Sequence, residues 1–267
     1  MDTVTPYRVA RHADALWAAI RDREPIAPLT ASDPELDVEA AYAVQELVSE
    51  RRLAAGARQR GRKIGLTSAA MQRQLGVEEP DYGRIFDEML VEDGDTVDLS
   101  TLLQPRVEGE IAFVLGDDLV GPGLTANDAI AATAGVCAAI EVIDSRIADW
   151  QIALPDTIAD NASSGLVVLA GGLAPVESLD LRLTGMTLRR GGELVATGAG
   201  AAVLGNPARC VAWLANTLSR FGQQLRAGEI VLAGALHAAV AVAPGDCFRA
   251  EFSRLGAVTV RFSEAAA

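Results

Sequence analysis

The chain has 267 residues, half of them hydrophobic and 22% charged, proportions that are ordinary for a folded protein and exclude a disordered one. Its formal net charge of −13 argues against nucleic acid or an anionic membrane as the main partner, because no basic patch offsets the repulsion of phosphates. The N-terminus lacks the pattern of a signal peptide, and no apolar run reaches the length of a bilayer span. These features predict a cytoplasmic protein without nucleic-acid or membrane partners.

The first part of the chain is predicted to be helical. A helix opens at Thr5-Pro6, and Pro25 and Pro28 end it, since proline is tolerated only in the first turn of a helix. Its apolar residues fall on one face at helical spacing: Val9, Ala13, Leu16, Trp17 and Ile20. A second helix is predicted from an N-cap at Asp37 to Gly56.

From Gly61 onward, short apolar segments separated by Gly, Asp and Pro are typical of strands. The predicted strands are Lys63–Leu66, Val107–Leu115, Val136–Ile143, Leu166–Leu169, Leu181–Leu188, Glu193–Thr197, Glu229–Ala233 and Ala257–Phe262. The predicted helices between them are Ala69–Leu75, Ala126–Ala134 and Pro207–Phe221. This order predicts a single α+β domain over residues 1–267, in which an N-terminal helical layer (1–57) covers a mixed, sandwich-like β core (58–267).

The segment from Gln104 to Leu115 carries two glutamates in a strand that is otherwise largely apolar on both faces. Glu108 and Glu110 are two residues apart, so they point to the same side of the strand. A strand with two apolar faces is buried on both sides. Ionised carboxylates are very costly there unless they are paired or bound to a cation.

A third glutamate, Glu141, stands inside the apolar run 136–143 without a basic neighbour. Three glutamates in buried strands predict an oxygen-ligand site for a hard divalent cation, Mg²⁺ or Mn²⁺, with open positions for water and substrate. The alternative is that these glutamates form ordinary ion pairs with Arg106 and Arg146.

Lys63 is the single lysine among 23 basic residues, all the others being arginines. Arginine does not deprotonate at working pH, whereas the pKa of a partly buried lysine can fall far enough for proton exchange. Lys63 is therefore interpreted as a catalytic proton carrier, with chance retention as the alternative. The charges of three carboxylates, one divalent cation and one ammonium also sum to zero.

Other kinds of site find no support in the sequence. Only two histidines, His12 and His237, are present, which excludes a histidine-rich zinc site. No GxSxG or GxxxxGK[ST] motif occurs, and the glycine-rich stretch 197–205 has Val203 where a dinucleotide motif needs glycine. The cysteines have no CxxC spacing and are interpreted as reduced thiols: Cys137, Cys210 and Cys247.

A series of motifs runs in order over nearly the whole chain: Ile26–Leu29, Gly61–Thr67, Gln74–Gly76, Pro80–Gly83, Gln104–Glu110, Glu141–Ile147, Asp156–Ser163 and Gly234–Leu236. Together they resemble the fumarylacetoacetate-hydrolase-like superfamily, in its hydratase/decarboxylase branch. The type they resemble most is the family of 2-keto-4-pentenoate hydratases. The resemblance implies an α+β fold with a mixed β-roll or sandwich core and N-terminal helices, assembled as a homo-oligomer of five or ten chains.

The resemblance also implies roles for individual residues. Glu108, Glu110 and Glu141 would be the ligands of a divalent metal, Mg²⁺ or Mn²⁺, in the β-rich core. Lys63 and Asp81 would be catalytic and take part in proton transfer. The implied substrate-binding residues are Leu66, Gln104, Asn161, Ser163 and His237.

The implied reaction is the metal-dependent hydration of a small 2-hydroxy-dienoate (a 2-oxo acid), namely 2-hydroxypenta-2,4-dienoate or a close analogue, to 4-hydroxy-2-oxopentanoate. Such a hydro-lyase acts in the meta-cleavage catabolism of aromatic compounds. Two related reactions remain open. One is decarboxylation of a 2-oxo-3-enedioate of the 4-oxalocrotonate type, with Arg84 or Arg146 at the distal carboxylate, and the other is C–C hydrolysis of an acylpyruvate. A further alternative is that the chain is not an enzyme but a non-catalytic partner subunit of an enzyme complex.

Overall fold

The computed structural model describes residues 4–68, 72 and 79–264. Its N-terminal layer consists of helices α1 (Val4–Asp22), α2 (Leu29–Ser32) and α3 (Val38–Ala54). Asp37 caps α3 as predicted, because its carboxylate accepts a hydrogen bond from the amide of Ala40 at 2.8 Å. None of the described helices is long and apolar enough to cross a membrane.

The described residues form thirteen strands and three further helices. The strands are β1 (Gln59–Gly65), β2 (Asp81–Phe86), β3 (Leu90–Val91), β4 (Thr96–Val97), β5 (Arg106–Leu115), β6 (Thr133–Ile143), β7 (Ser164–Leu169), β8 (Gly185–Arg190), β9 (Glu193–Ala199), β10 (Ile230–Ala235), β11 (Val240–Ala241), β12 (Cys247–Phe252) and β13 (Gly256–Phe262). The helices are α4 (Ala126–Ala131), α5 (Leu154–Ala159) and α6 (Pro207–Ser219).

The strands make two sheets that pack face to face. The larger sheet has the order β2-β1-β10-β5-β6-β7-β3, with β11 also paired to β5, and the smaller has the order β4-β13-β12-β8-β9. Val107, Ile111 and Phe113 on one face of β5 are fully buried in the core between the sheets. The mixed, sandwich-like α+β core predicted from the sequence is thus confirmed.

The opposite face of the larger sheet is concave, because the sheet curls until β2 approaches β7. Asn161, just before β7, joins the two ends: its Oδ1 accepts a hydrogen bond from the amide of Arg84 at 2.7 Å, and its Nδ2 donates to the carbonyl of Arg84 at 2.9 Å. The side chain thereby takes the place of a strand neighbour for β2. The curl encloses an apolar cluster that includes Ile85, Ala112 and Leu232, and beside it the acidic residues described below.

Most of the predicted elements are present with shifted boundaries, and the exceptions have local reasons. The segment predicted as a strand at Leu181–Leu188 begins as a 3₁₀ turn, and β8 starts only at Gly185. The sequence did not predict β12 or α5. It did not predict β2 either, because that strand contains Asp81, Gly83 and Arg84 in place of an apolar run. The helix predicted at 69–75 and the motif at 74–76 lie outside the described residues, apart from position 72.

A substitution at Gly234 on β10 can test how tightly the curled sheet is packed. It lies where the β10–β5 register shifts, at φ +113°, and a Cβ there would be 2.1 Å from Thr67 Oγ1. We expect Gly234→Ala to lower the free energy of unfolding by about 2 kcal/mol or more, through backbone strain and the clash. Urea denaturation measures this, with Gly172→Ala as the control because its Cβ would meet open space. Equal stability of the two variants would contradict the packing described here.

Candidate active site

Strands β5 and β6 place three glutamates together inside the curl. Glu108 lies directly opposite Glu141 in the antiparallel pairing, and Glu110 is two residues further along the same face of β5. One carboxylate oxygen from each of the three lies within 4.8 Å of the other two. Glu141 and Glu110 are 0% and 1% exposed, and Glu108 is half-buried. The donor set of three convergent carboxylates is what a hard divalent cation requires.

Ion pairing with arginine does not account for these glutamates. Arg146 forms an ion pair with Asp160, and the Arg106 guanidinium lies over the ring of Trp150, 4.5 Å from its centroid. Neither oxygen of Glu141 has a hydrogen-bond partner in the described part of the chain. The contact that Glu141 does make is with the ammonium of Lys63, so no arginine neutralises it, and three convergent carboxylates beside one ammonium fit a bound cation better than a network of salt bridges.

Lys63 is buried on β1 beside this trio. It is 4% exposed, its Nζ donates to the carbonyl of Ala162 at 2.9 Å, and Nζ lies 3.4 Å from Glu141 Oε2. Burial alone would lower the pKa of Lys63, but the surrounding carboxylates, Glu141 first, outweigh it and the pKa is raised. The lowered pKa expected from the sequence is therefore wrong for the metal-free chain, because burial was weighed there without the acidic neighbours.

Asp81, on β2, lies directly opposite Gly65 of β1, on the same side as Lys63. It is buried, and its Oδ1 has no hydrogen-bond partner within the described residues. Burial raises the pKa of Asp81, and Glu141 adds to the increase while Lys63 opposes it. A Cβ on Gly65 would lie 2.2 Å from Asp81 Oδ1, so glycine at that position makes room for the carboxyl.

A strained turn forms the other wall of the site. Asn161, Ala162 and Ser163 have φ values of 56°, 51° and 53°, in the left-handed region that non-glycine residues seldom adopt. Arg146 holds the turn in place, donating to the carbonyl of Asp160 at 2.5 Å and to that of Ser164 at 3.0 Å. The strain brings the Ala162 carbonyl to Lys63. Backbone strain of this kind concentrates at functional sites.

These elements surround a cavity of about 610 Å³, within the usual size of a small-molecule site. Seven of the ten residues predicted for the site line it: Lys63, Leu66, Asp81, Glu108, Glu110, Ser163 and His237. Glu141 lies behind Lys63. A more open depression of about 520 Å³, between α4 and α6, has no carboxylate among its described lining residues.

The structure does not bring Gln104 or Asn161 to the cavity wall. The side-chain amide of Gln104 donates hydrogen bonds to the carbonyls of Ser145 (2.9 Å) and Ile147. The side chain of Asn161 forms two hydrogen bonds with the backbone of Arg84. Both side chains hold neighbouring backbone segments in place. Their expected contact with substrate therefore has no counterpart in this geometry.

Sequence reasoning missed several residues of the cavity wall, among them Arg106, Trp150, Ile152 and Thr157. Arg106 could have been found, because it is two residues before Glu108 and so shares its face of β5. Trp150 and Ile152 come from an irregular loop, whose position depends on tertiary contacts that no sequence period reveals.

His237 lies on the same wall with both ring nitrogens occupied. Nε2 accepts a hydrogen bond from the amide of Gly109 at 2.8 Å, and Nδ1 lies 2.7 Å from the carbonyl of Ala238. An amide N–H can only donate, so Nε2 is unprotonated and the proton is on Nδ1. Burial lowers the pKa of His237, in agreement with a neutral ring.

Residues 58–263 match the family model of the fumarylacetoacetate (FAA) hydrolase C-terminal region. The chain belongs to this family. The match begins one residue after the helical layer predicted from the sequence, and it contains every candidate site residue named above.

Similar proteins of this family include hydratases and a decarboxylase. The chain is 49% identical to a 2-keto-4-pentenoate hydratase of Paraburkholderia xenovorans, over 97% of this chain and 96% of that protein. It is 48% identical to the TodF product hydratase of Pseudomonas putida, over 99% of both chains. The solved 4-oxalocrotonate decarboxylase of Pseudomonas putida G7, complexed with magnesium and adipate, superposes with a TM-score of 0.95 at 40% identity, covering 98% and 100% of the two chains. The predicted superfamily and hydro-lyase class are thereby confirmed.

The pH dependence of metal binding follows from the crowding of these carboxylates. Burial and the neighbouring Glu141 raise the pKa of Glu108 to about 7, so a cation must displace a proton at neutral pH. We expect the apparent affinity for Mn²⁺ to rise at least about tenfold from pH 6 to pH 8 as this proton is lost, and Glu110, whose pKa is also raised by burial and by Glu141, adds to the increase. Calorimetric titration in the absence of substrate measures it.

The matched control is Glu108→Gln, which carries no titrating group at this position. Its affinity for Mn²⁺ should be weaker and should depend less on pH. A wild-type affinity that stays constant between pH 6 and pH 8 would contradict the raised pKa and the participation of Glu108.

Proposed function

We propose that the chain catalyses the divalent-metal-dependent hydration of 2-hydroxypenta-2,4-dienoate, or a close analogue, to 4-hydroxy-2-oxopentanoate. The observation that carries this proposal is the convergence of Glu108, Glu110 and Glu141 beside the ammonium of Lys63, at the wall of a cavity that Lys63, Glu108 and Glu110 line. The high identity to proteins named as hydratases of this substrate supports it.

In this proposal the three glutamates would hold Mg²⁺ or Mn²⁺, ions that prefer carboxylate oxygens. When bound, the ion supplies a Lewis acid for the C1 carboxylate and C2 oxygen of the substrate. Neither oxygen of Glu141 has a hydrogen-bond partner among the described residues, which supports this assignment because the one ammonium of Lys63 does not balance three carboxylates. The charges of three carboxylates, one divalent ion and the Lys63 ammonium sum to zero, provided that Asp81 is protonated, as its raised pKa favours.

We assign the proton transfers to Lys63 and Asp81. In the first step the C2 hydroxyl loses a proton and C5 gains one, which gives an α,β-unsaturated ketone. Water then adds with its oxygen at C4, and C3 takes up a proton. Asp81 is suited to this exchange because burial raises the pKa of its carboxyl, which therefore holds a proton more firmly than an exposed aspartate does. Lys63 is fixed for it by the carbonyl of Ala162.

The remaining wall of the cavity suits a short hydrocarbon chain. It is apolar beyond the acidic end, where Leu66, Ile143, Trp150, Ile152 and Leu236 contribute side chains. Such a wall favours the C3–C5 part of a dienoate over a more polar group, because burying an unpaired polar group there would be unfavourable.

We also propose that this single catalytic domain, with helical layer 1–57 and metal-binding core 58–267, works as a cytoplasmic homo-oligomer of five or ten chains. Among the described residues, large exposed apolar side chains such as Tyr7 (74% exposed), Leu183 (76%) and Phe221 (55%) would be available for contacts between copies.

A second candidate, decarboxylation of a 2-oxo-3-enedioate, is favoured by one observation. Arg106 lines the cavity about 7 Å along β5 from Glu108, and its guanidinium has no carboxylate partner among the described residues. It could bind a distal carboxylate, and the similar decarboxylase was solved with a dicarboxylate, adipate. Arg84 and Arg146, the residues suggested from the sequence, do not line the cavity and are paired with Glu46 and Asp160.

An NMR assay that compares 2-hydroxypenta-2,4-dienoate with 4-oxalocrotonate distinguishes these candidates. With Mg²⁺ we expect 4-hydroxy-2-oxopentanoate from the first substrate, and no product when EDTA is added, because the electron sink at C2 is lost. Arg106→Leu should leave this hydration largely intact. Rapid loss of CO₂ from 4-oxalocrotonate, with slow hydration, would favour the second candidate instead.

The role of Lys63 is tested by a pair of variants. Lys63→Met and Lys63→Arg should both lose at least about a hundredfold in kcat, because methionine carries no exchangeable proton and arginine holds its proton far more firmly than lysine does. Mn²⁺ affinity should be retained in both, since Lys63 is not a proposed ligand. Calorimetry and the hydration assay measure the two quantities. Near-normal turnover in Lys63→Arg would show that charge suffices and would remove proton transfer by lysine from the mechanism.

A further inference from the structure

Strands β10 and β11 both pair with β5, and the ladder of hydrogen bonds is interrupted between them. Ala235 pairs with Glu110 and Val240 pairs with Val107, so residues 236–239 leave the ladder beside Gly109. All four of these residues line the cavity. The interruption therefore lies where β5 carries two of the three convergent glutamates, one on each side of Gly109.

The imidazole of His237 fills this gap. The carbonyl of Gly109 accepts a hydrogen bond from the amide of Leu236 at 3.0 Å, as in a regular ladder. The amide of Gly109 donates to Nε2 of His237 at 2.8 Å, where a strand neighbour would offer a carbonyl. The second nitrogen, Nδ1, lies 2.7 Å from the carbonyl of Ala238 and fixes the ring to its own loop.

Close packing leaves the ring little freedom. A Cβ on Gly109 would lie 3.3 Å from His237 Nε2 and 3.0 Å from the Cε of Met186, which belongs to the smaller sheet. The absence of a side chain at Gly109 thus lets the imidazole and Met186 approach the β5 backbone together. A side chain of the smaller sheet and the imidazole therefore both approach the β5 backbone at Gly109.

We propose that His237 is a positioning residue: its imidazole replaces the missing strand neighbour of Gly109, keeps Glu108 and Glu110 in register with Glu141, and fixes the cavity wall 236–239. The metal-binding part of this inference rests on the proposed function. Without the acceptor, the Gly109 amide would be left unpaired at a buried position, and on this side of β5 the backbone between the two glutamates would be held only by the bond from Leu236. Misaligned ligands bind a metal ion less tightly.

Two variants of equal length separate the hydrogen bond from the bulk of the ring. His237→Gln can offer an amide oxygen near the position of Nε2, whereas His237→Met offers only a weak sulfur acceptor. We expect His237→Met to bind Mn²⁺ about tenfold more weakly, and His237→Gln to stay within about threefold of the wild type. The KM for the dienoate should rise in His237→Met and recover in His237→Gln, because the cavity wall is restored with the acceptor.

The same full-length chain allows a test without substitution. NMR of protein labelled with ¹⁵N-histidine should show a neutral His237 with its proton on Nδ1. A proton on Nε2, unchanged Mn²⁺ affinity and KM in His237→Met, or equal impairment of the Gln and Met variants would each overturn the proposal. Mn²⁺ affinity and the tautomer are measured without substrate, so a wild type that binds Mn²⁺ but hydrates no dienoate would refute the proposed function and leave this test valid.

Discussion

Four carboxylates share the interior of the curled sheet with one ammonium, and this imbalance of charge shapes the surrounding structure. Glu108 and Glu141 face each other directly across β5 and β6, an arrangement that destabilises a sheet when both groups are ionised. Burial and mutual repulsion accordingly raise the pKa values of Glu108, Glu110 and Asp81. A bound divalent cation would remove the repulsion between the crowded carboxylates, and this relief would contribute to the free energy of binding.

The scaffold around these charges is rigid and in part strained. Gly234 makes a close turn in β10 and donates its amide to Glu110 at 2.8 Å, while the Arg146–Asp160 pair holds the left-handed turn that carries Ala162 to Lys63. Asn161 ties that turn to the end of the sheet. Arg146 and Asn161 both bond to backbone groups, so these two side chains hold the wall of the cavity in place without facing it. Supporting residues of this kind keep the catalytic groups in fixed positions.

The acidic centre could be predicted from the sequence because its signal is local. Two glutamates at a spacing of two residues in an apolar strand must share a face, and a single lysine among arginines stands out by composition. The curl of the sheet could not be predicted in the same way, since it depends on β2 and β7 meeting across about 80 residues of chain. For the same reason Asn161 and Gln104, which were expected to contact substrate, bond to backbone groups, and the cavity position of Trp150 was not predicted. Arg106 was missed although its spacing from Glu108 places it on the same face of β5.

The most direct test is a crystal structure of the protein grown with Mn²⁺, with anomalous diffraction data to locate the ion. We predict one anomalous peak per chain in the concave face of the larger sheet, with an oxygen from each of Glu108, Glu110 and Glu141 at a coordination distance of about 2.0–2.3 Å. A peak that lies elsewhere, or an empty cluster in which Glu141 remains paired with Lys63 at saturating Mn²⁺, would contradict the account.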